Sequence, residues 1–208
     1  MTRAHTAASV SAFVALALHV VASASGPTFT STWKAPEASG VSFAGKKVAA
    51  LVISNDQNLR VSGEEQLVRE LNPRGVQGVA TYRMAPREEL TSAERARPWF
   101  ERAAVEGVVA LRPVSREKQI TYSPSVWTTT SYSTLWGYYG YGWTGVYDPG
   151  GSREDTTIVI ETLVYSVPLD KLMWAGVSTT TNPKKAPVFI KELVDGAVKE
   201  MKKQGLVK

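Results

Sequence analysis

Residues 47–54 read KVAALVIS, an apolar run of strand length without alternation. A strand with one wet face alternates apolar and polar residues, so a run like this one needs cover on both sides. That is the position of a central strand in an α/β sheet. The next segments keep to that class. Ser62 and Glu65 match a capping box ahead of Leu67, Val68 and Leu71 at helical spacing, and Asn72-Pro73 with Gly75 closes the pattern. Residues 78–84 (GVATYRM) predict a second strand. A second helix is expected from Thr91 or Ser92 to Glu106, or from Pro98 if that proline occupies its first turn. Residues 108–122 predict a third strand, broken at Pro113. Residues 156–167, dense in β-branched side chains, and residues 172–180 predict a strand hairpin. In the last helix Ile190, Leu193, Val194, Ala197, Val198 and Met201 share one face. Lys191, Glu192, Asp195, Lys199 and Lys202 take the other, with Pro187 opening the helix and Gly205 closing it. The predicted order is β-α-β-α-β, a long hairpin, β-β and α: an α/β fold whose mixed sheet is covered by helices.

The chain divides into three parts. Residues 1–24 have the form of a signal peptide: Arg3 and His5, an apolar run, then Ala22-Ser23-Ala24 before Ser25. Residues 25–45, rich in Ser, Thr, Pro and Gly, predict an extended leader. Residues 46–208 predict a single α/β domain with an aromatic, glycine-rich hairpin insertion at 121–151. Export would place the protein in the periplasm or at the outer-membrane periphery of a bacterium.

Composition then removes several chemistries. There is no cysteine, and both histidines, His5 and His19, lie in the signal. Without them the mature chain has no Ser-His-Asp or Cys-His nucleophile, no Cys/His zinc site and no thiol redox chemistry. No metal or cofactor is expected. The formal net charge of +5 falls by one with the loss of Arg3, leaving a mildly basic protein.

Few motifs suggest chemistry. Gly40-x4-Gly45-Lys46 imitates a phosphate-binding loop, but Lys47 stands where Ser or Thr would meet magnesium, and a strand follows instead of a helix. It is expected to be a solvated turn. Glu64/Glu65, Glu88/Glu89 and Glu154/Asp155 are adjacent carboxylates, explained by helix starts and solubility. Glu161 lies mid-strand among apolar residues, where an Arg or Lys across the sheet is expected. Asn55, Asp56, Asn58 and Arg60 follow the first apolar strand, at the carboxyl end where α/β sheets bind ligands, and form a weak ligand-site candidate.

The segment 121–151 concentrates Trp127, Tyr132, Trp136, Tyr138, Tyr139, Tyr141, Trp143 and Tyr147 around a single charge, Asp148. Stacking rings without Lys or Arg argue against nucleic acid. Three uses fit. The rings could fold back onto the domain, contact a protein or membrane surface, or stack on sugars of a cell-wall glycan.

Several short motifs carry a family resemblance: Arg60-Val61-Ser62-Gly63-Glu64-Glu65, Gly75-Val76-Gln77-Gly78-Val79, Gly137-Tyr138-Tyr139-Gly140-Tyr141-Gly142-Trp143 and Glu161-Thr162. Trp174-Ala175-Gly176-Val177-Ser178, Thr180-Thr181-Asn182-Pro183 and Lys202-Lys203-Gln204-Gly205-Leu206 complete the set. Through them the chain resembles a domain-of-unknown-function family of small bacterial envelope proteins, often lipoproteins. The element order is also similar to the TolB N-terminal domain and to the periplasmic domain of the curli secretion lipoprotein. Ala24-Ser25 stand where a lipobox cysteine would be, so a lipid anchor is not expected. The resemblance implies no activity. The expectation is a non-enzymatic envelope accessory protein that meets a partner through the eight aromatic rings. The alternatives are a carboxylate-dependent glycan-active enzyme and a self-associating, homo-oligomeric structural component.

Overall fold

A computed structural model describes residues 26–115, 124–144 and 157–206. Residues 1–24, expected to be a signal peptide, Tyr147, and the Glu154/Asp155 pair lie outside the described residues. Six strands form one mixed sheet: β1 (Thr28–Lys34), β2 (Lys47–Val52), β3 (Gln77–Ala80), β4 (Gly107–Ser115), β5 (Thr157–Ser166) and β6 (Lys171–Thr181). Their order across the sheet is β1-β6-β5-β4-β2-β3. β2 pairs in parallel with β3 and β4, and the remaining pairings are antiparallel. The helices are α1 (Gln57–Leu71), α2 (Thr81–Met84), α3 (Ala93–Arg102), α4 (Thr130–Ser133), α5 (Leu135–Thr144) and α6 (Ala186–Lys203). The fold is α/β with a mixed sheet covered by helices, as the sequence predicts.

The unalternating run in β2 is explained by cover on both faces. Val48, Ala50 and Val52 pack with Leu67 and Leu71 of α1 and with Ile190, Leu193 and Val194 of α6. Ala49, Leu51 and Ile53 turn the other way, against Phe100 of α3 and Leu135, Tyr138 and Tyr139 of α5. Period-two side chains on β2 therefore feed two separate cores, one per face. The extended leader turns out to be part of the sheet: its residues 28–34 form β1 and pair antiparallel with β6.

Three local expectations are corrected. The first helix starts at Gln57, not at the Ser62/Glu65 box. Asp56 caps it by accepting from the backbone N–H groups of Asn58 and Leu59, while the Ser62 hydroxyl donates back to Asn58 O at 2.7 Å. The second strand stops at Ala80, and residues 81–84 turn into α2. Helix α3 begins at Ala93, directly after Ser92 as the first of the two readings has it, but ends at Arg102 instead of Glu106, and Pro98 lies inside it instead of opening it.

The largest correction concerns the aromatic insertion. Its described part is helical: a short turn at Pro124–Thr128, then α4 and α5. Tyr139, Tyr141 and Trp143 alternate with Gly140 and Gly142 as one face of a hairpin strand would. In the helix Leu135, Tyr138, Tyr139 and Gly142 turn inward at spacings of three, four and seven, and Tyr141 turns out. Thr134 Oγ1 accepts from Gly137 N at the start of α5. Two glycines permit its docking. A Cβ on Gly137 would stand 2.3 Å from Thr130 O, and one on Gly142 would stand 2.7 Å from Ile53 Cδ1.

Candidate functional site

From β2 the chain passes through α1 to β3 on one side, then returns through α3 to β4 on the other. The carboxyl end of β2 is thus the point where strand order reverses, the place where open α/β sheets form a ligand crevice. Here α5 lies in that crevice, with Gly142 against Ile53 just past the end of β2. Two buried ionic clusters flank it.

The first crosses β4 and β5. Arg112 and Glu161 are register partners, and Arg112 Nη1 donates to Glu161 Oε2 at 3.2 Å. The expected basic partner of Glu161 is therefore Arg112. The carboxylate is wholly buried and also accepts from the Tyr132 hydroxyl at 2.7 Å and the Tyr138 hydroxyl at 3.1 Å. Tyr165 donates to Tyr132 O at 2.9 Å, and the Arg112 guanidinium lies 4.9 Å from the centre of the Tyr141 ring. Burial is the largest single influence and works to strip the Arg112 proton, but Glu161 together with Tyr138, Tyr141 and Tyr132 outweighs it, so the guanidinium stays firmly protonated. Burial first, and then Glu161, pushes the Tyr138 hydroxyl well above the usual phenol range. This tyrosine is a donor, not a proton shuttle.

The second cluster belongs to α1. Arg60, Gly63, Glu64, Leu67 and Leu71 form its inward stripe, so a charged i,i+4 pair occupies two core positions. Glu64 Oε1 accepts from the Thr81 hydroxyl at 2.6 Å and from Val52 N at 3.3 Å; Oε2 accepts from Tyr82 N at 2.8 Å. The carboxylate takes over where the β3 ladder ends and caps α2, which has no side-chain cap of its own. This is why the second strand ends at Ala80. Desolvation raises the Glu64 carboxyl above its ordinary value, against the pull of Thr81, Tyr82 N–H and Arg60.

The candidate residues from sequence separate clearly. Asn55, Asp56 and Asn58 are exposed at the start of α1, where Asp56 acts as the cap, and Asn55 O accepts from Arg87 at 3.1 Å. Turn and cap chemistry accounts for them. Arg60 alone among the four is buried, at 1% exposure. Of the eight rings, Trp127, Tyr132, Tyr138 and Tyr139 are buried in the core over β2, β4 and β5, which corrects the expectation that all eight form a contact surface. They carry the large apolar area that this face of the sheet must bury. Trp136 and Trp143 are half-buried, and Tyr141 is 40% exposed. Glu64 was the residue that sequence reasoning misassigned. Its signal was its place in the stripe with Leu67 and Leu71.

Gly45 and Lys46 form a turn before β2, and Lys46 pairs with Glu106 at 2.7 Å on the surface. Among the described residues there is no group of three acidic, His or Cys side chains able to hold a metal, and no helix is long and apolar enough to cross a membrane.

The sequence matches no protein-family model and no curated protein. Two solved structures from Paraburkholderia phytofirmans resemble the fold distantly. A dodecamer of PelC aligns at 10% identity with a TM-score of 0.43, covering 82% of this chain and 96% of that one. A leucine-to-methionine variant of the same protein, also a dodecamer, aligns at 12% identity with a TM-score of 0.41, covering 80% and 97%.

Proposed function

We propose that the protein is a non-catalytic component of the bacterial cell envelope that binds a protein partner with the outer face of α5. One observation carries this reading: the crevice where an α/β sheet would take a substrate is filled by the chain's own aromatic helix, whose other side faces out. On that outer side Tyr141 is 40% exposed above the Arg112 guanidinium. Among the described residues no atom lies within 4 Å of where a Cβ on the neighbouring Gly140 would stand, which leaves a notch next to the ring. Arg97 stacks on Trp136 with its guanidinium carbon 4.9 Å from the ring centre. Tyr, Trp and Arg are the residue types that anchor protein interfaces, because they bring large area at small entropic cost.

The two buried carboxylates support the non-catalytic part. Glu64 and Glu161 both spend acceptor capacity on donors inside the fold, whereas a general acid or base must reach a substrate proton. The test is a photo-reactive phenylalanine analogue at position 141, irradiated in the native envelope, with a control at Lys199 on exposed α6. A protein adduct from position 141 that is lost in the Gly140→Arg variant is the expected result. An adduct with a second copy of the chain would transfer the reading to self-association. A glycan or lipid adduct, or no dependence on Gly140, would overturn it.

A further inference from the structure

Helices α1 and α6 run side by side in the same direction over one face of the sheet, and a cavity lies at each end of the pair. The first is at the carboxyl ends of β2 and β4, on the face opposite α5. Its volume is about 160 Å³, between Leu59 and Gly63 of α1, Leu111 of β4, Ile158 of β5, and Phe189 and Ile190 of α6. The remaining walls are apolar except at Lys184. Backbone proximity keeps α1 from filling the space itself, since a Cβ on Gly63 would already stand 3.1 Å from Val52 Cγ2. A cavity of about 150 Å³ with aliphatic and aromatic walls stays dry and accepts a ring of about six carbons.

The rim of this cavity is positive. Lys184 and Lys185 are exposed there, and Lys185 stands between two lining residues, Lys184 and Ala186. Lys184 pairs with Glu192 at 2.5 Å, whereas Lys185 forms no ion pair among the described residues. Lys185 also holds the N-cap position of α6, which has no side-chain cap and no acidic residue in its first turn. The helix therefore brings uncapped backbone N–H groups and the positive end of its dipole to the rim. The start of α1 lies at the same end but is capped by Asp56. The second cavity, of about 130 Å³, shows the opposite arrangement. It sits at the carboxyl ends of both helices, among Leu71, Val198 and Met201, and the guanidinium in its wall, Arg74, is held by Glu70 and Asp195. Apolar walls are common to both. A free cation at a helix start belongs to the first.

We propose that the first cavity binds a small anionic amphiphile, a free carboxylate on a hydrocarbon chain of about six carbons. The chain fills the space between α1, α6 and the sheet. The carboxylate stays at the rim, where Lys185 and the first turn of α6 supply the opposite charge. Burial of the chain provides the affinity, and the charged rim selects the sign of the head group. The ligand couples α1 to α6, since both helices line the cavity. This site goes beyond the partner contact proposed above, which uses the outer face of α5 on the other side of the sheet, and it stands or falls separately.

The test has two arms. In the first, the full-length chain is titrated calorimetrically with sodium butanoate, pentanoate, hexanoate and octanoate at constant ionic strength. Saturable binding is expected, tightening about fourfold per methylene up to hexanoate and levelling once the cavity is full. Hexanol and hexyltrimethylammonium carry the same chain without charge and with the opposite charge, and should bind successively more weakly. Lys185→Glu, an exposed change, should weaken hexanoate about three- to tenfold and leave hexanol unaltered. In the second arm, nuclear Overhauser contacts are recorded between hexanoate and the isoleucine methyl groups of the wild-type chain. Contacts to Ile158, Ile160 and Ile190 are expected. Absence of saturable binding would overturn the proposal, as would hexyltrimethylammonium binding as tightly as hexanoate. Contacts to Val198 and Met201 in place of Ile190 would also overturn it, because they would put the ligand at the other end of the helices.

Discussion

Two arginines meet the interior of this protein in different ways. Arg112 on β4 faces Glu161 on β5 in direct register, and two tyrosines from the aromatic insertion complete the carboxylate's shell. Arg60 on α1 stands four residues from Glu64 but donates nothing to it, because strand and helix backbones have claimed that carboxylate. A sheet register places opposed side chains about 5 Å apart and lets a long pair meet. Helical spacing offers the same proximity on an open surface, but a core position lets stronger competitors intervene. Charge pairing inside a fold is thus decided by which donors reach a carboxylate, not by sequence separation.

The comparison can be broken most directly at the arginines. Arg112→Met strands the Glu161 charge without its guanidinium and should destabilise by about 3–5 kcal/mol in urea unfolding. Arg60→Met should cost less than about 1 kcal/mol or stabilise, since it removes an unpaired buried charge. Equal large losses would mean that Arg60 has a partner within the chain.

Adjacent tyrosines sharpen the contrast. Tyr138→Phe removes a hydrogen bond to a charged group and should cost about 1.5–3 kcal/mol. Tyr139→Phe removes a hydroxyl with no partner among the described residues and should change stability by less than about 1 kcal/mol.

Glu64 supplies a pH signature. Its folded carboxyl lies above the ordinary 4.5, chiefly through burial, so the folded state binds its proton more tightly than the unfolded state does. Its contribution is full below about pH 4.5 and is lost as pH rises through the folded value. The stability difference between the wild type and Glu64→Gln should therefore shrink as pH rises from 4 to 7. A difference that grows with pH would show a lowered carboxyl and a hidden pairing with Arg60. The smallest effect is expected at Tyr141. Tyr141→Ser on the outer face of α5 should cost less than about 1 kcal/mol in the same assay, because the ring is only partly buried.

Patterns local to the chain were sufficient for most of the sheet, though β1 was legible only as part of an extended leader. The unalternating run of β2, the β-branched hairpin of β5 and β6, and the amphipathic stripe of α6 were all legible, since periodicity reports which faces must be covered. Glu161 could be read as half of a pair because a charge in the middle of an apolar strand requires an opposite charge across the ladder. The aromatic insertion misled for a local reason. Tyr139, Tyr141 and Trp143 alternating with glycine satisfy the period of a strand. The helix they form depends on Gly137 and Gly142 admitting Thr130 and Ile53, which are distant in pattern though near in space.

By itself, the sequence determined the fold class, the β-α-β start, the closing helix, and the absence of thiol and imidazole from the part after residue 24. Each follows from side-chain type and spacing alone. Only the tertiary structure decided that α5 fills the switch-point crevice, that Glu64 ends β3 and caps α2, and that Arg60 is left without an acceptor among the described residues. Those outcomes are set by competition among groups that the fold brings together, and no period within one segment records which donor reaches a carboxylate first.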